Sequence, residues 1–216
     1  SLTSQVASIL EQLGHTWADQ TSWTSLLHKR TLRHGVEESI VALHHLYDWM
    51  TATTMAKDSS DHNKVIAVDV CGGKGKFSML LSYMTSDFWQ GTTSQRRNNN
   101  MMRLKRIILL EKTTSKDVDW HHIQETNSRI SLETFLQIEI WPGTNLQEDE
   151  TVLDKFQALC QTESNSNIQK LNMPLALTGI HLCKNVKSIA GESFQWLGVH
   201  SSLPIYVYHR VVYPAR

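Results

Sequence analysis

Asp69 stands two residues ahead of a glycine-rich turn, Cys71-Gly72-Gly73-Lys74-Gly75, near the end of an apolar run that starts at Val65. A carboxylate at the C-terminal end of a buried strand lies where open α/β sheets place their ligands. There it suits a ligand carrying an ammonium or sulfonium charge better than one carrying phosphate. The same residue has a plainer use, capping the turn through its backbone amides. Gly72, Gly73 and Gly75 let the chain turn sharply and approach a ligand closely, since no Cβ stands in the way. A P-loop does not fit, because the glycines are too closely spaced and no Lys-Ser/Thr pair follows. The dinucleotide pattern Gly-x-Gly-x-x-Gly does not fit either: Gly73-Lys74-Gly75 runs into Lys76-Phe77-Ser78 with no third glycine.

The flanking elements must hold these groups in place. Val65 to Val70 is short and mostly β-branched, which predicts a core strand. Phe77, Leu80, Leu81 and Met84 recur at helical spacing, so the chain returns as a helix packed on that strand. A strand, a glycine turn and a helix N-terminus together make a nucleotide-type site. Ile107 to Lys112 predicts a second buried strand carrying Glu111 near its end. In a Rossmann-like fold an acid there bonds the two ribose hydroxyls of a cofactor. A surface glutamate at a strand end is the alternative.

The stretch Asp69-Val-Cys-Gly-Gly-Lys-Gly75 resembles motif I of the class I S-adenosylmethionine-dependent methyltransferases, with Cys71 at the first glycine position. Its Gly-Lys-Gly ending is similar to a eukaryotic subgroup that includes the tRNA acceptor-stem ribose methyltransferases. His181-Leu-Cys183 resembles the His-Leu-Cys-Gly element of that subgroup, with Lys184 where the subgroup has glycine. An Asp-Trp-x-His element, here Asp119 to His122, follows the second strand there as well. The resemblance implies a Rossmann-like three-layer α/β/α fold with S-adenosyl-L-methionine as cofactor. It assigns Asp69, Gly73 and Gly75 to the cofactor's methionine end and Glu111 to the ribose, and counts Cys71 and Gly72 among the cofactor-binding residues. The loop after the third strand would lie along the adenine, bringing in Trp141, Gly143 and Asn145. His181 is the candidate base, its ordinary pKa being near neutrality, and Lys184 would orient a phosphate or carboxylate. A packed histidine and a buried thiol are the plain alternative at His181 and Cys183.

Outside these motifs, Leu2, Val6, Ile9, Leu10 and Leu13 predict a short amphipathic helix stopping at Gly14. Trp23 to Met50 predicts one or two further helices, broken near Arg33-His34-Gly35. Residues 1–60 therefore read as a helical extension and 61–216 as the Rossmann-like domain. Arg96, Arg97, Arg103, Lys105 and Arg106 fall in an Asn-rich segment between the first helix of that domain and its second strand. It reads as a solvated insertion or as a contact to an RNA backbone. Asp117 or Asp119 caps the following helix, in which Trp120 is a packing residue. Leu136, Ile138 and Ile140 alternate with polar residues in a third strand ending at Pro142-Gly143. Glu148 to Cys160 predicts a helix and Pro174 onward a fourth strand. Ser188 to Arg216 offers a short helix, Ile189 to Leu197, and a strand from Pro204. About thirty residues cannot hold the rest of a seven-stranded sheet, so its C-terminal part is expected to be reduced or truncated.

With 216 residues, 40% of them hydrophobic, the chain can bury one substantial core. Basic and acidic residues balance at 21 each, which argues against a general electrostatic hold on nucleic acid. Three cysteines without regular spacing fit a reducing compartment. The sequence shows no signal peptide and no long apolar run, so an intracellular, cytoplasmic or nuclear protein without a membrane span is expected. No metal is expected: His44 and His45 point apart on a helix, and His181 with Cys183 cannot complete four ligands. Oligomeric state is not fixed. The leading expectation is a methyltransferase acting on RNA, with tRNA as a candidate substrate. The alternative is a catalytically silent methyltransferase-like module that binds RNA or protein.

Overall fold

A computed structural model of the chain describes residues 2–17, 29–54, 64–70, 72–87, 103–114, 118–129, 136–144, 151–161, 175–179 and 205–209. Within them the strands are β1 (Lys64–Val70), β2 (Arg103–Glu111), β3 (Ile138–Pro142), β4 (Leu175–Gly179) and β5 (Ile205–His209). They form one parallel sheet in the order β3-β2-β1-β4-β5. Val65 through Val70 are all buried, as befits a central parallel strand covered on both faces. The order runs outward from β1 to β3, then returns across β1 to β4. That reversal is a topological switch point at the C-terminal ends of β1 and β4, the place where open α/β sheets form a crevice and bind ligands. Asp69 lies level with Leu109 on one side and Thr178 on the other.

The helices are α1 (Leu2–Trp17), α2 (Lys29–Thr54), α3 (Lys76–Asp87), α4 (His121–Arg129) and α5 (Thr151–Gln161). Val36, Leu43, Leu46 and Met50 make the inner stripe of α2, and Phe77, Leu80, Leu81 and Met84 that of α3. They share one core with Leu2, Val6 and Leu13 of α1, Ile123 of α4, and Ala67, Ile107 and Leu109 of the sheet. Each such side chain stabilises the fold by about 1.5–3 kcal/mol. On the opposite face Phe156 of α5 stacks on Trp141 of β3, with ring centroids 5.2 Å apart. Asn127 of α4 ties itself to β3, donating to the Ile138 carbonyl at 2.9 Å and accepting from its amide at 3.1 Å.

Several boundaries differ from the sequence expectations. α1 does not stop at Gly14 but runs on to Trp17. One glycine inside a helix costs about 1 kcal/mol, less than the burial of Leu2, Val6 and Leu13 returns. α2 is unbroken through Arg33-His34-Gly35. Arg33 pairs with Glu37 at 2.9 Å and His34 with Glu38 at 3.4 Å, one turn on. Gly35 marks a close approach instead: a Cβ there would sit 2.5 Å from Cδ of Lys76. β2 begins at Arg103 rather than Ile107, so Arg103, Lys105 and Arg106 belong to a strand and not to a solvated insertion. Its register slips between Val65 and Ile66, which face Leu104 and Arg106. Lys105 is the extra residue of this bulge, and the shift lets Leu104 and Ile107 face the same core. The C-terminal strand pairs parallel to β4 as β5. Trp23, Leu26, Leu27, Asp117, Glu148 and the helix expected over Ile189 to Leu197 lie outside the described residues. His44 and His45 are exposed on α2. Among the described residues no helix is long and apolar enough to cross a membrane, and no cluster of His, Cys, Asp and Glu would hold a metal ion.

Candidate functional site

The turn after β1 is built by its glycines. The Gly75 amide donates to the Gly72 carbonyl at 2.8 Å, and Met79 donates to Gly75 at 2.8 Å to start α3. Gly73 and Gly75 have φ of 54° and 73°, the left-handed region that other residues enter at a cost. Gly75 is also cramped: a Cβ would meet Leu109 at 2.5 Å and Ile123 at 2.7 Å. Gly73 is the reverse, with nothing among the described residues within 4 Å of a Cβ placed on it. The turn thus presses one glycine into the core and leaves another bare toward the crevice.

Asp69 lies under this turn, 1% exposed. Its Oδ2 accepts from the Ser78 hydroxyl at 2.7 Å, which ties the end of β1 to the first turn of α3 rather than capping the glycine turn. Its Oδ1 is buried with no hydrogen-bond partner among the described residues, and so is Oγ1 of Thr178 on the neighbouring strand. Native interiors seldom leave such atoms unpaired. Burial pushes the Asp69 carboxyl up to about 7, with the nearby Glu111 adding to the rise and bonds from Ser78 opposing it. A positive charge brought to this end of the sheet is therefore favoured.

Glu111 closes the other side. It is 7% exposed; Oε2 accepts from the Gly73 amide at 3.0 Å, across 38 residues of sequence. Oε1 accepts from the amide and hydroxyl of Thr113, at 3.1 and 2.9 Å. The Thr144 amide in turn donates to the Glu111 carbonyl at 3.1 Å, so the exits of β2 and β3 are laced together. From the start of α4, Trp120 Nε1 donates to the Gly73 carbonyl at 2.8 Å. His122 Nε2 lies 2.8 Å from the Lys74 carbonyl, and since a carbonyl only accepts, that nitrogen carries the proton. Burial lowers the His122 pKa, keeping the ring neutral. Asp119 caps the helix, accepting from the His121 amide at 2.9 Å. That bond, above all, lowers the Asp119 pKa.

Of the residues expected from sequence, Asp69, Gly72, Gly73, Gly75 and Glu111 come together around one turn. Trp141 does not turn toward them. Its position in the register faces the other side of the sheet from Asp69; its ring stacks on Phe156, lies under the Lys155 ammonium at 5.7 Å, and bonds Glu139 through Nε1 at 2.8 Å. Cys71, Asn145, His181, Cys183 and Lys184 lie outside the described residues, as do Arg96 and Arg97. Arg106 is paired with Glu139 of β3 at 3.1 Å. Trp120 is buried as expected, while its bond to the turn, and those of Ser78, Thr113 and His122, were not foreseen. The Asp-Trp-x-His spelling was the signal for Trp120 and His122; no local pattern marks Ser78 or Thr113. No family model and no curated protein matches this chain.

Proposed function

We propose that the chain is a class I S-adenosylmethionine-dependent methyltransferase with a Rossmann-like fold, acting on RNA and within that class on tRNA. The observation that carries this reading is the Glu111 carboxylate bonded to the Gly73 amide beside the switch point of the sheet. It brings the acid of the second strand and the motif I turn into one site. The residues present suit the cofactor: Gly73 is open to the crevice, and Asp69 keeps one buried oxygen without a partner. Bound there, the cofactor supplies a methyl group on a positively charged sulfur, open to in-line displacement. Gly73 and Gly75 keep the wall bare enough for close approach. Glu111 reaches ribose hydroxyls from the end of β2, and Asp69 lends negative potential below the turn. Alignment rather than covalent catalysis is the main demand of such a transfer. His181 takes the proton from the accepting group, and Lys184 orients the substrate. RNA as substrate rests on the resemblance at His181 to Cys183 and on Arg96, Arg97, Arg103 and Lys105; Arg106 is engaged with Glu139. The test is transfer of a labelled methyl group to bulk tRNA and to total RNA by the purified chain, with His181→Ala beside it. Label in RNA, lost in the variant, is expected. Cofactor binding without transfer to any RNA would favour the silent module.

A further inference from the structure

Gly73, Lys74 and Gly75 are each held by a residue at the start of one helix. Trp120 bonds the Gly73 carbonyl and His122 the Lys74 carbonyl, both at 2.8 Å. Ile123 stands 2.7 Å from where a Cβ of Gly75 would be. Trp120 is 5% exposed, His122 and Ile123 fully buried. We propose that this Asp119–Ile123 segment is a clamp that sets the ligand-competent shape of the glycine turn before any ligand arrives, with Trp120 and His122 as positioning residues. A trans peptide is planar, its N–H pointing opposite to its C=O. With the Gly73 carbonyl drawn to Trp120, the Lys74 N–H must face away from α4. The Lys74 carbonyl drawn to His122 turns the Gly75 N–H back onto Gly72, where it is observed. Both carbonyls are turned toward α4, and since the Gly73 and Gly75 amides are taken up by Glu111 and Gly72, the Lys74 N–H is the donor that this part of the turn offers a ligand. Asp119 fixes the helix end from which both side chains reach. A turn held this way binds without first having to order itself.

The inference rests on reading this turn as the cofactor-binding element, so its test carries one readout that needs no cofactor. The full chain is compared with Trp120→Phe, His122→Leu and His122→Gln, the last keeping a donor at about the reach of Nε2. Affinity for S-adenosylhomocysteine is measured by calorimetry, and amide exchange of residues 72–79 in the ligand-free protein. A buried hydrogen bond lost beside an orphaned carbonyl predicts an affinity lower by about tenfold in Trp120→Phe and His122→Leu. Exchange should be faster at 72–79 but unchanged in α1 and α2, with His122→Gln restoring most of both. Trp120→Phe keeps an aromatic ring in the core while losing the donor and part of the indole, and carries the test if His122→Leu does not fold. Unchanged exchange at 72–79, or an equal rise throughout the molecule, would overturn the clamp. If the unsubstituted chain binds no S-adenosylhomocysteine while the local exchange effect is present, the clamp stands and the cofactor reading falls.

Discussion

Replacing Asp69 by Asn tests the buried carboxyl on which the site is built. The group is fully buried, and its pKa rises from 3.8 in an open chain to about 7 in the fold. At about 1.4 kcal/mol per pH unit, that rise corresponds to about 4 kcal/mol. The sign follows from where the proton sits. Between pH 3.8 and 7 the unfolded chain has released it while the folded chain holds it, so stability is lost as pH rises through this window and is constant above it. From pH 5 to pH 8 the loss is about 3 kcal/mol, a large part of the ~5–15 kcal/mol by which domains are stable. Asn keeps the shape and an acceptor for Ser78, and does not ionise. Urea denaturation at pH 5, 6, 7 and 8 should therefore give an Asp69→Asn profile that gains about 3 kcal/mol on the parent between the ends. Parallel profiles for the two proteins would refute the reasoning, since Asp69 would then titrate as an ordinary carboxylate.

Three further outcomes follow from named contacts. Glu111→Ala removes the acceptor of the Gly73 amide and the proposed ribose ligand; calorimetry should show S-adenosylhomocysteine affinity down by about ten- to a hundredfold. Unchanged affinity would remove Glu111 from the cofactor site. Gly75→Ala forces a Cβ into Leu109 and Ile123 at a positive φ, and should cost about 2–5 kcal/mol in urea denaturation. Gly14→Ala, in the interior of α1 with nothing among the described residues within 4 Å of the new Cβ, should instead stabilise the chain by up to about 1 kcal/mol.

What was legible in the sequence was what periodicity and local chemistry write there. Val65 to Val70 announces a buried strand because six consecutive residues face packed layers, and Asp69 and Glu111 stand out as acids at the ends of such runs. The break read at Gly14 failed because burial of Leu2, Val6 and Leu13 outweighs the cost of one helical glycine. Gly35 lies against the side chain of Lys76, a residue far along the chain. The start of β2 was hidden by its charges: Arg106 pairs with Ile66 of β1 in the sheet and bonds Glu139 of β3, contacts that no local pattern shows. Trp141 carries the same aromatic ring whether it lies on an adenine or on Phe156, so its identity did not separate the two. The partners of Trp120 and His122 are main-chain carbonyls 47 and 48 residues away, and carbonyls leave no mark in a sequence.

The most direct test of the cofactor reading is a calorimetric titration of the chain with S-adenosylmethionine and S-adenosylhomocysteine, beside NADH and the Gly73→Asp variant. Gly73 is open and its φ of 54° is one that Asp tolerates better than most residues, so the variant should fold while placing a carboxylate in the crevice. The account predicts saturable binding of both sulfur ligands, none of NADH, and loss of binding in Gly73→Asp. A folded chain that binds neither sulfur ligand, or binds them equally well with Asp at position 73, would contradict it.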